Sequence, residues 1–308
     1  MSRAWKSIED VFGLVIAPDK VYKWKAFIAV LYESLCSEIL QSVLASPVIH
    51  IDETTVRIRD STGYVWVITT MDKVYYFYKP SREGSFLQEM LRQFSGILVS
   101  DFYTAYDSLP CKQQKCLLHL IRDIDDDVLR NPLDTELKRI ASELGSLLRI
   151  IIETVNRYGL KSRHLRKHER SAFQFLNSVG SSDFSSELAN KYKKRFQKSG
   201  KKMFTFLHHD GVPWNNNNAE HAIKRFAKYR RDAGGRFTER TLREYLVLAS
   251  VFETCEFNNV NVLKFLLAKE TTLEGLLKMA GRRAQTSREV SLDNNSKQNY
   301  TALGSSET

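Results

Sequence analysis

The sequence predicts an α/β protein built on a mixed five-stranded sheet that is flanked by helices. Three observations support this prediction. Short apolar runs rich in β-branched residues and bounded by turn residues recur between 46 and 121. The stretch from 122 to 211 instead has apolar residues at three- and four-residue steps, which is typical of helices. Two of the strand-like runs also end at an aspartate, as expected of buried strands that reach a solvent-facing edge.

The N-terminal segment, residues 1–45, is predicted to be helical and amphipathic, and Pro47 ends it. Three strands are predicted to follow at 48–58, 63–70 and 73–78, because each run is apolar or β-branched and turn residues separate it from the next. Short turns join antiparallel strands, so these three strands are expected to form a meander.

A helix over 83–94 is predicted next, and it leads into a fourth strand that ends at Asp101. The apolar stretch 116–120 is interpreted as a fifth strand. Three strands, a helix, a strand, a helix and a strand are the order of the RNase H-like fold, in which the fourth strand runs parallel to the first. Parallel neighbours would bring Asp52, on the first strand, close to Asp101.

The domain organisation follows from where this pattern is interrupted. Residues 46–121 are predicted to form the first part of the RNase H-like core, and the helical, basic stretch 122–211 is predicted to be an insertion. Residues 212–280 would complete the core with a helix that carries Glu220 and with further C-terminal helices. The tail 281–308 is polar and nearly free of large apolar residues, so it is predicted to be disordered.

The composition excludes several classes of protein. The chain has 308 residues, 43% of them hydrophobic, and no apolar run approaches the roughly 20 residues of a membrane span. The first residues lack the apolar core of a signal peptide. The four cysteines show no paired CxxC spacing, which favours a reducing compartment. A cytoplasmic protein that binds no membrane is therefore expected.

The positive charge is concentrated in one region. The whole chain has a formal charge of +10, whereas residues 161–240 contain 19 Lys or Arg and only 7 Asp or Glu. A solvated charged face explains any single basic cluster equally well. The extent of the region and its position beside Glu220 favour instead a surface that contacts a polyanion.

Three separated acidic residues carry the chemical prediction. Asp52 and Asp101 end apolar runs, and Glu220 follows four asparagines that can cap the helix it begins. Three convergent carboxylates suit a pair of Mg²⁺ or Mn²⁺ ions, which prefer oxygen ligands. Each acid also has a simpler explanation. Asp52 can end a strand while Glu53 is the ligand, Asp101 can begin a turn, and Glu220 can be a first-turn carboxylate favoured by the helix dipole.

The segments IHIDET, SDFYTAY, KCLLHLIRD, NNNAEHAIKRF and GGRF occur in this order and are followed by the helical segment LASVFETCEFNNVNVLKFLL. Together they resemble the DDE transposases of the insertion-sequence 66 family. The resemblance covers about residues 46–268, and the ordered set is more specific than any single motif. It implies that Asp52, Asp101 and Glu220 are the catalytic triad and that they bind two Mg²⁺ or Mn²⁺ ions.

The resemblance also implies residues that contact DNA. His119 and Arg122 match the last two residues of a Cys-His-Arg motif of the family, and Asn216 and Asn217 match its paired asparagines. His221 stands where the family usually has arginine. Cations on the glutamate helix would contact phosphates, although some can be simple surface charges: Lys224, Arg225, Lys228, Arg230 and Arg231.

The function implied by the resemblance is that of a DNA transposase. It would cut double-stranded DNA at transposon ends in a metal-dependent reaction and join the freed 3′-hydroxyl to target DNA. A homodimer or higher oligomer is expected because two ends must be cut together, and the short N-terminal region suggests accessory proteins of the element. The protein would be cytoplasmic, and nucleoid-associated when bound to DNA. An RNase H-like structure-specific nuclease and a catalytically silent DNA-binding relic are the alternatives.

Overall fold

The computed structural model describes residues 2–59 and 61–281. Apart from its first residue, the tail that is predicted to be disordered lies outside the described residues. The described chain divides into two compact units. Unit 1 comprises the residues up to 94 and those from 217 onward, and unit 2 comprises residues 95–216. Helices and strands are both present, so the α/β class is confirmed. The RNase H-like arrangement and the predicted domain boundaries stay predictions.

The predicted meander and the predicted helical stretches are confirmed element by element. The strands are β1 (Val48–Ile58), β2 (Ser61–Thr69), β3 (Val74–Lys79), β4 (Ile97–Ser100), β5 (Lys112–Lys115) and β6 (Arg236–Phe237). The helices are α1 (Ser2–Phe12), α2 (Pro18–Leu31), α3 (Glu33–Leu44), α4 (Ser85–Met90), α5 (Leu117–Arg130), α6 (Thr135–Tyr158), α7 (Ser162–Leu165), α8 (Glu169–Ser181), α9 (Glu187–Met203), α10 (Asn217–Asp232), α11 (Glu239–Phe257), α12 (Val262–Leu267) and α13 (Leu273–Ala280).

The sheet of unit 1 packs one face against α10 and α11. β1 pairs antiparallel with β2, and β2 with β3, so that Asp52, Val67 and Tyr76 lie in one row across the three strands. The short strand β6 pairs in parallel with the end of β1. Since strand side chains alternate between faces, every second residue joins the helices in one core: Val56, Val65, Val67, Val74, Tyr76, Ala222, Phe226, Leu242 and Leu246.

Helix α11 closes the outer edge of β3 with two side-chain hydroxyls. Ser250 Oγ accepts a hydrogen bond from the Tyr76 backbone N–H at 2.9 Å, and Thr254 Oγ1 accepts one from the Val74 N–H at 3.1 Å. All four residues are buried. An edge strand presents backbone groups that lack a strand partner, so these hydroxyls take the place of a further strand, which β3 lacks among the described residues.

Replacing Ser250 with alanine or Thr254 with valine is expected to lower the free energy of unfolding by about 1–3 kcal/mol each, because a buried N–H of β3 loses its acceptor. Urea unfolding measures the change. Ser37→Ala is the matched control, since the Ser37 hydroxyl donates to a carbonyl of its own helix, as the Ser250 hydroxyl also does. Equal losses in Ser37→Ala and Ser250→Ala would mean that the strand contact contributes nothing.

Unit 2 contains the parallel strand pair β4 and β5. The prediction of a fifth strand at 116–120 is wrong, because the fifth strand is β5 and most of those residues belong to the first turn of α5. β5 has the sequence KQQK, and its last three side chains are buried, so no apolar run marks the strand. The Gln114 amide, for example, donates to the carbonyls of Lys115 and Met203, which satisfies its polar group inside the protein.

Helices α5 to α9 confirm the predicted helical character of the stretch from 122 onward. The basic helix α9 contacts acidic side chains of α5. Lys191 lies 2.8 Å from a carboxylate oxygen of Asp127, and Arg195 lies 2.7 Å from one of Asp123. Part of the basic charge of α9 is therefore neutralised within unit 2 rather than presented to a partner.

The N-terminal segment forms three helices rather than one continuous helix. α3 buries Leu35, Ile39 and Val43, whereas α2 leaves Phe27 and Val30 exposed. Within the described ranges, no single helix combines the length and the apolar character of a membrane span. The adjoining pair α2 and α3, bent by 47°, meets both criteria only when the two are taken together.

Candidate functional site

Strand β1 carries two neighbouring carboxylates whose side chains point to opposite faces of the sheet. Asp52 lies on the same face as Val56, which packs against α10. Its Oδ1 accepts a hydrogen bond from the Glu53 backbone N–H at 2.9 Å. The Glu53 side chain accepts a hydrogen bond from Arg82 Nε at 2.9 Å and forms an ion pair with that guanidinium. This arrangement favours Asp52 over Glu53 as the metal ligand.

Helix α10 carries Glu220 in its first turn, as predicted. Ala219, Ala222 and Phe226 face the sheet, and Glu220 lies beside this stripe with only 8% of its surface exposed. The helix dipole favours a carboxylate in this turn, and Lys224 Nζ lies 3.7 Å from Glu220 Oε2. Glu220 is therefore a buried carboxylate at the edge of the core, in a cationic surrounding.

Two contacts determine the position of α10 along β1. The Tyr76 hydroxyl donates to a carbonyl in the second turn of α10 at 2.8 Å, and Tyr76 lies in the same cross-strand row as Asp52. In the last turn of α10, Arg230 donates to Thr54 Oγ1 at 3.3 Å. Helix α10 therefore runs in the same sense as β1, and its first turns, which carry Glu220, lie toward the cross-strand row of Asp52.

In unit 2, Asp101 directly follows β4. Its Oδ1 accepts a hydrogen bond from the Tyr103 backbone N–H at 2.9 Å, a contact typical of an aspartate that begins a turn. The turn explanation thus accounts for one local contact of Asp101 and does not exclude a role as a ligand. Because Asp52 and Glu220 belong to unit 1, the approach of Asp101 to them stays a prediction.

A buried ion pair lies next to Asp101 in unit 2. Lys115 is fully buried, and its Nζ lies 3.4 Å from Asp107 Oδ1 and 3.3 Å from Ser100 Oγ. Burial lowers the pKa of Lys115, and the carboxylates of Asp107 and Asp101 oppose this shift. The sequence analysis missed this pair, because a lysine in a short polar strand carries no signal of burial.

The other predicted site residues of unit 2 lie at the start of α5 and just before α10. His119 is half-buried and Arg122 is exposed, both in the first two turns of α5. Asn216 is buried, and its backbone N–H donates to Cys116 Sγ at 3.2 Å. This bond joins the Asn216 segment to the residue before α5. Asn217, the second predicted asparagine, begins α10 in unit 1.

The predicted DNA-contacting cations of α10 differ in their surroundings. Arg225 lies 3.0 Å from Glu253 Oε2 and also pairs with Glu256, so its charge is neutralised within unit 1. By contrast, Lys228 and Arg231 are exposed, and neither forms an ion pair with a carboxylate in the part of the chain that the structure describes. These two side chains are therefore available to an external anion without the loss of an internal contact.

Glu253, the buried partner of Arg225, leads to a prediction about pH. Burial raises the pKa of Glu253 to about 7, although Arg225 opposes this shift. The folded protein therefore holds a proton that the unfolded chain loses near its ordinary pKa of 4.5. The stability that this proton contributes is fully present below pH 4.5 and is lost as the pH rises to about 7.

Glu253→Gln is expected to remove this fall in stability, which urea unfolding at a series of pH values between 4.5 and 7 measures. Glu256→Gln is the matched control, because Glu256 is an exposed partner of the same arginine. The control variant should keep most of the pH dependence of the unchanged protein, because Glu256 raises the pKa of Glu253 less than burial does. If Glu253→Gln keeps it as well, the shifted pKa belongs to another group.

Comparison with known protein families matches residues 1–243 to the family model described as Transposase IS66 family. The matched segment covers most of the chain and contains Asp52, Asp101 and Glu220. A comparison with curated proteins finds no match.

Proposed function

Because the chain belongs to the IS66 family of transposases, we propose that it cuts DNA at transposon ends and joins the freed 3′-hydroxyl to target DNA. Membership of the family implies a transposase role, DNA binding and the use of a divalent metal; the cleavage and joining steps are proposed here. The observation that supports them is that Tyr76, in the same cross-strand row as Asp52, donates to the carbonyl of Ala222, two residues after Glu220 on α10.

The acids fit the hard divalent cations that family membership implies. Asp52 is half-buried and Glu220 is buried, and both offer carboxylate oxygens, which Mg²⁺ and Mn²⁺ prefer to nitrogen or sulfur. Like charges brought together out of water repel unless a cation lies between them. Together with Asp101, these residues would hold two ions. When bound, such ions activate the attacking oxygen and neutralise charge on the phosphoryl group.

The RNase H-like arrangement belongs to the same proposal, because a fourth strand parallel to the first would bring Asp101 to the other two acids. The side chains proposed to orient the DNA are the exposed Lys228 and Arg231, together with His119, Arg122, Asn216, Asn217, Lys224, Arg225 and Arg230. Of these, Arg225 is expected to act mainly by holding α10 against α11, since both of its carboxylate partners lie on α11.

A strand-transfer assay tests the proposed function and separates it from the alternatives. The purified protein is incubated with Mg²⁺ or Mn²⁺, a target plasmid, and either intact or pre-cut DNA ends of the element. A transposase cuts the intact ends and joins the pre-cut ends to the plasmid. A structure-specific nuclease cuts without joining, and a silent relic binds DNA without either reaction. Binding of pre-cut ends without any joining would contradict strand transfer.

An active homodimer or higher oligomer, together with accessory proteins of the element, is proposed because two ends must be cut in one event. Cleavage of paired ends should then rise more steeply than in proportion to protein concentration. A strictly proportional rise would indicate a monomer that acts on one end at a time. The cytoplasmic, nucleoid-associated location is proposed because the substrate of a transposase is DNA.

A further inference from the structure

An arginine-lined groove lies at the C-terminal end of β1 in unit 1. It has a volume of about 600 Å³, and the side chains of Arg57, Arg230 and Arg231 line it. We call it the arginine groove and define it by these three residues. Thr62, the partner of Arg57 on β2, and the turn at Gly234 and Gly235 complete its wall.

The three arginines come from two elements. Arg57 comes from β1, and Arg230 and Arg231 come from the last turn of α10. Arg230 is held in position by its bonds to Thr54 Oγ1, at 3.3 Å, and to the Thr55 carbonyl. Arginines in a last helical turn also complement the helix dipole, but this effect does not account for Arg57, which is on a strand.

The turn beside the groove does not block access to it. Gly234 and Gly235 both have a positive φ, +75° and +74°, which side chains rarely adopt. No atom lies within 4 Å of where a Cβ would stand at either position. Glycine is therefore required by the backbone conformation and not by crowding, and the space above the turn remains free for a ligand.

The charge of the groove selects an anion. Arg57 and Arg231 are exposed, and neither forms an ion pair with a carboxylate among residues 2–59 and 61–281. Two of the three guanidinium groups thus have no carboxylate partner in the described part of the chain, so the three repel one another, and an anion placed between them relieves this repulsion. Guanidinium groups bind phosphate oxygens through two parallel hydrogen bonds, so a phosphodiester backbone matches the groove in both charge and geometry.

The groove is separated from the proposed active site. Ten residues of α10 separate Glu220 from Arg230, a distance of about 15 Å along a helix. Five residues of β1 separate Asp52 from Arg57, about 17 Å along a strand, and because strand side chains alternate between faces, Arg57 points to the face opposite to Asp52. A phosphate in the groove would therefore lie well outside the bond that is cut.

We propose that the arginine groove binds the DNA backbone outside the phosphodiester that is cut. This inference rests on the proposed function, which it deepens by naming a second contact with the DNA. The groove reads phosphates rather than bases.

The first test measures DNA binding and does not depend on cleavage. Arg57→Gln, Arg231→Gln and the double variant are titrated with a random-sequence duplex at several salt concentrations. The double variant should bind at least about tenfold more weakly, and the slope of log affinity against log salt should fall by about two, roughly 0.9 for each lost phosphate contact. Arg92→Gln, which removes an exposed arginine of unit 1 outside the groove, should change neither quantity.

The second test locates the contact. Single phosphates of a cleavable element end are replaced by uncharged methylphosphonates. In the unchanged protein, replacement of the phosphates that the groove contacts, away from the cut, should weaken binding, and in the double variant the same replacements should have no further effect. An unchanged salt slope in the double variant, or an identical interference pattern in both proteins, would overturn the groove assignment. A protein that passes the first test but neither cuts nor joins DNA would contradict the proposed function alone.

Thermal unfolding of each variant shows whether the substitutions leave the fold intact. Arg57 and Arg231 are both exposed, so melting temperatures close to that of the unchanged protein are expected. If the double variant is unstable, the two single variants decide the question, each with an expected fall in salt slope of about one.

Discussion

Asp52→Asn is expected to lower DNA cleavage by at least about a thousandfold, since the loss of a metal ligand removes several kcal/mol of transition-state stabilisation. Asp101→Asn and Glu220→Gln should have effects of the same order. Each change keeps the shape of the side chain and removes its charge, so DNA binding and thermal stability should stay close to those of the unchanged protein. Plasmid cleavage with Mg²⁺ or Mn²⁺ measures the loss, and a chelator should abolish the activity of the unchanged protein.

Glu53→Gln is the matched control for Asp52→Asn. The two acids are adjacent on β1, yet Glu53 points to the opposite face and pairs with Arg82. Removing the Glu53 charge should therefore leave cleavage nearly unchanged. The reverse result, an active Asp52→Asn beside an inactive Glu53→Gln, would move the metal site to the other face of the sheet and would also remove Glu220 from it.

Asp107→Asn is expected to have the largest effect on stability. It removes a counter-charge of the fully buried Lys115, which lies next to Asp101. Removing one partner of a fully buried ion pair costs about 3–5 kcal/mol, and because Asp107 is partly exposed we expect a loss of about 2–4 kcal/mol in the free energy of unfolding. Lys198 and Lys202, which also pair with Asp107, are partly exposed and can turn to solvent.

A second substitution should reverse most of this loss. Asp107→Asn combined with Lys115→Met also removes the buried ammonium that has lost its counter-charge, so the double variant should be more stable than Asp107→Asn alone. Lys198→Gln removes only an exposed partner of Asp107 and should cost less than about 1 kcal/mol. If the loss of unfolding free energy in the double variant equals the sum of the losses in Asp107→Asn and Lys115→Met, Lys115 does not depend on Asp107 as a counter-charge.

The pH dependence of the same pair has a definite sign. Burial would raise the pKa of Asp107, but Lys198, Lys115 and Lys202 outweigh this effect and lower the pKa below its ordinary value of 3.8. The stability contributed by the Asp107 carboxylate is therefore present above pH 3.8 and is lost as the pH falls further. This contribution should be absent from the acid-unfolding curve of Asp107→Asn.

Several features depend on contacts that no local pattern of the sequence reveals. The strand β5 is polar but buried, because side-chain amides and an ion pair satisfy its polar groups from distant segments. Ser250 and Thr254 lie within a helix, and only the folded chain brings their hydroxyls to the edge of β3. Arg225 and Arg231 look equivalent on one helix, yet carboxylates of α11 neutralise the first and leave the second exposed.

Asp52 lies within β1 rather than at the end of a strand, where the sequence predicts it. The sequence by itself determined the meander, the fourth strand, most of the helices, and the positions of Asp101 after a strand and of Glu220 in a first helical turn. These features depend on side-chain periodicity and on capping residues, which act over a few neighbouring positions. Only the tertiary structure decided that Tyr76, in the row of Asp52, bonds to α10 two residues after Glu220, that Lys115 is buried, and that Arg57 joins two arginines of α10 in one groove. Each of these results requires the packing of segments far apart in the chain, where burial and charge depend on neighbours that the local sequence does not contain.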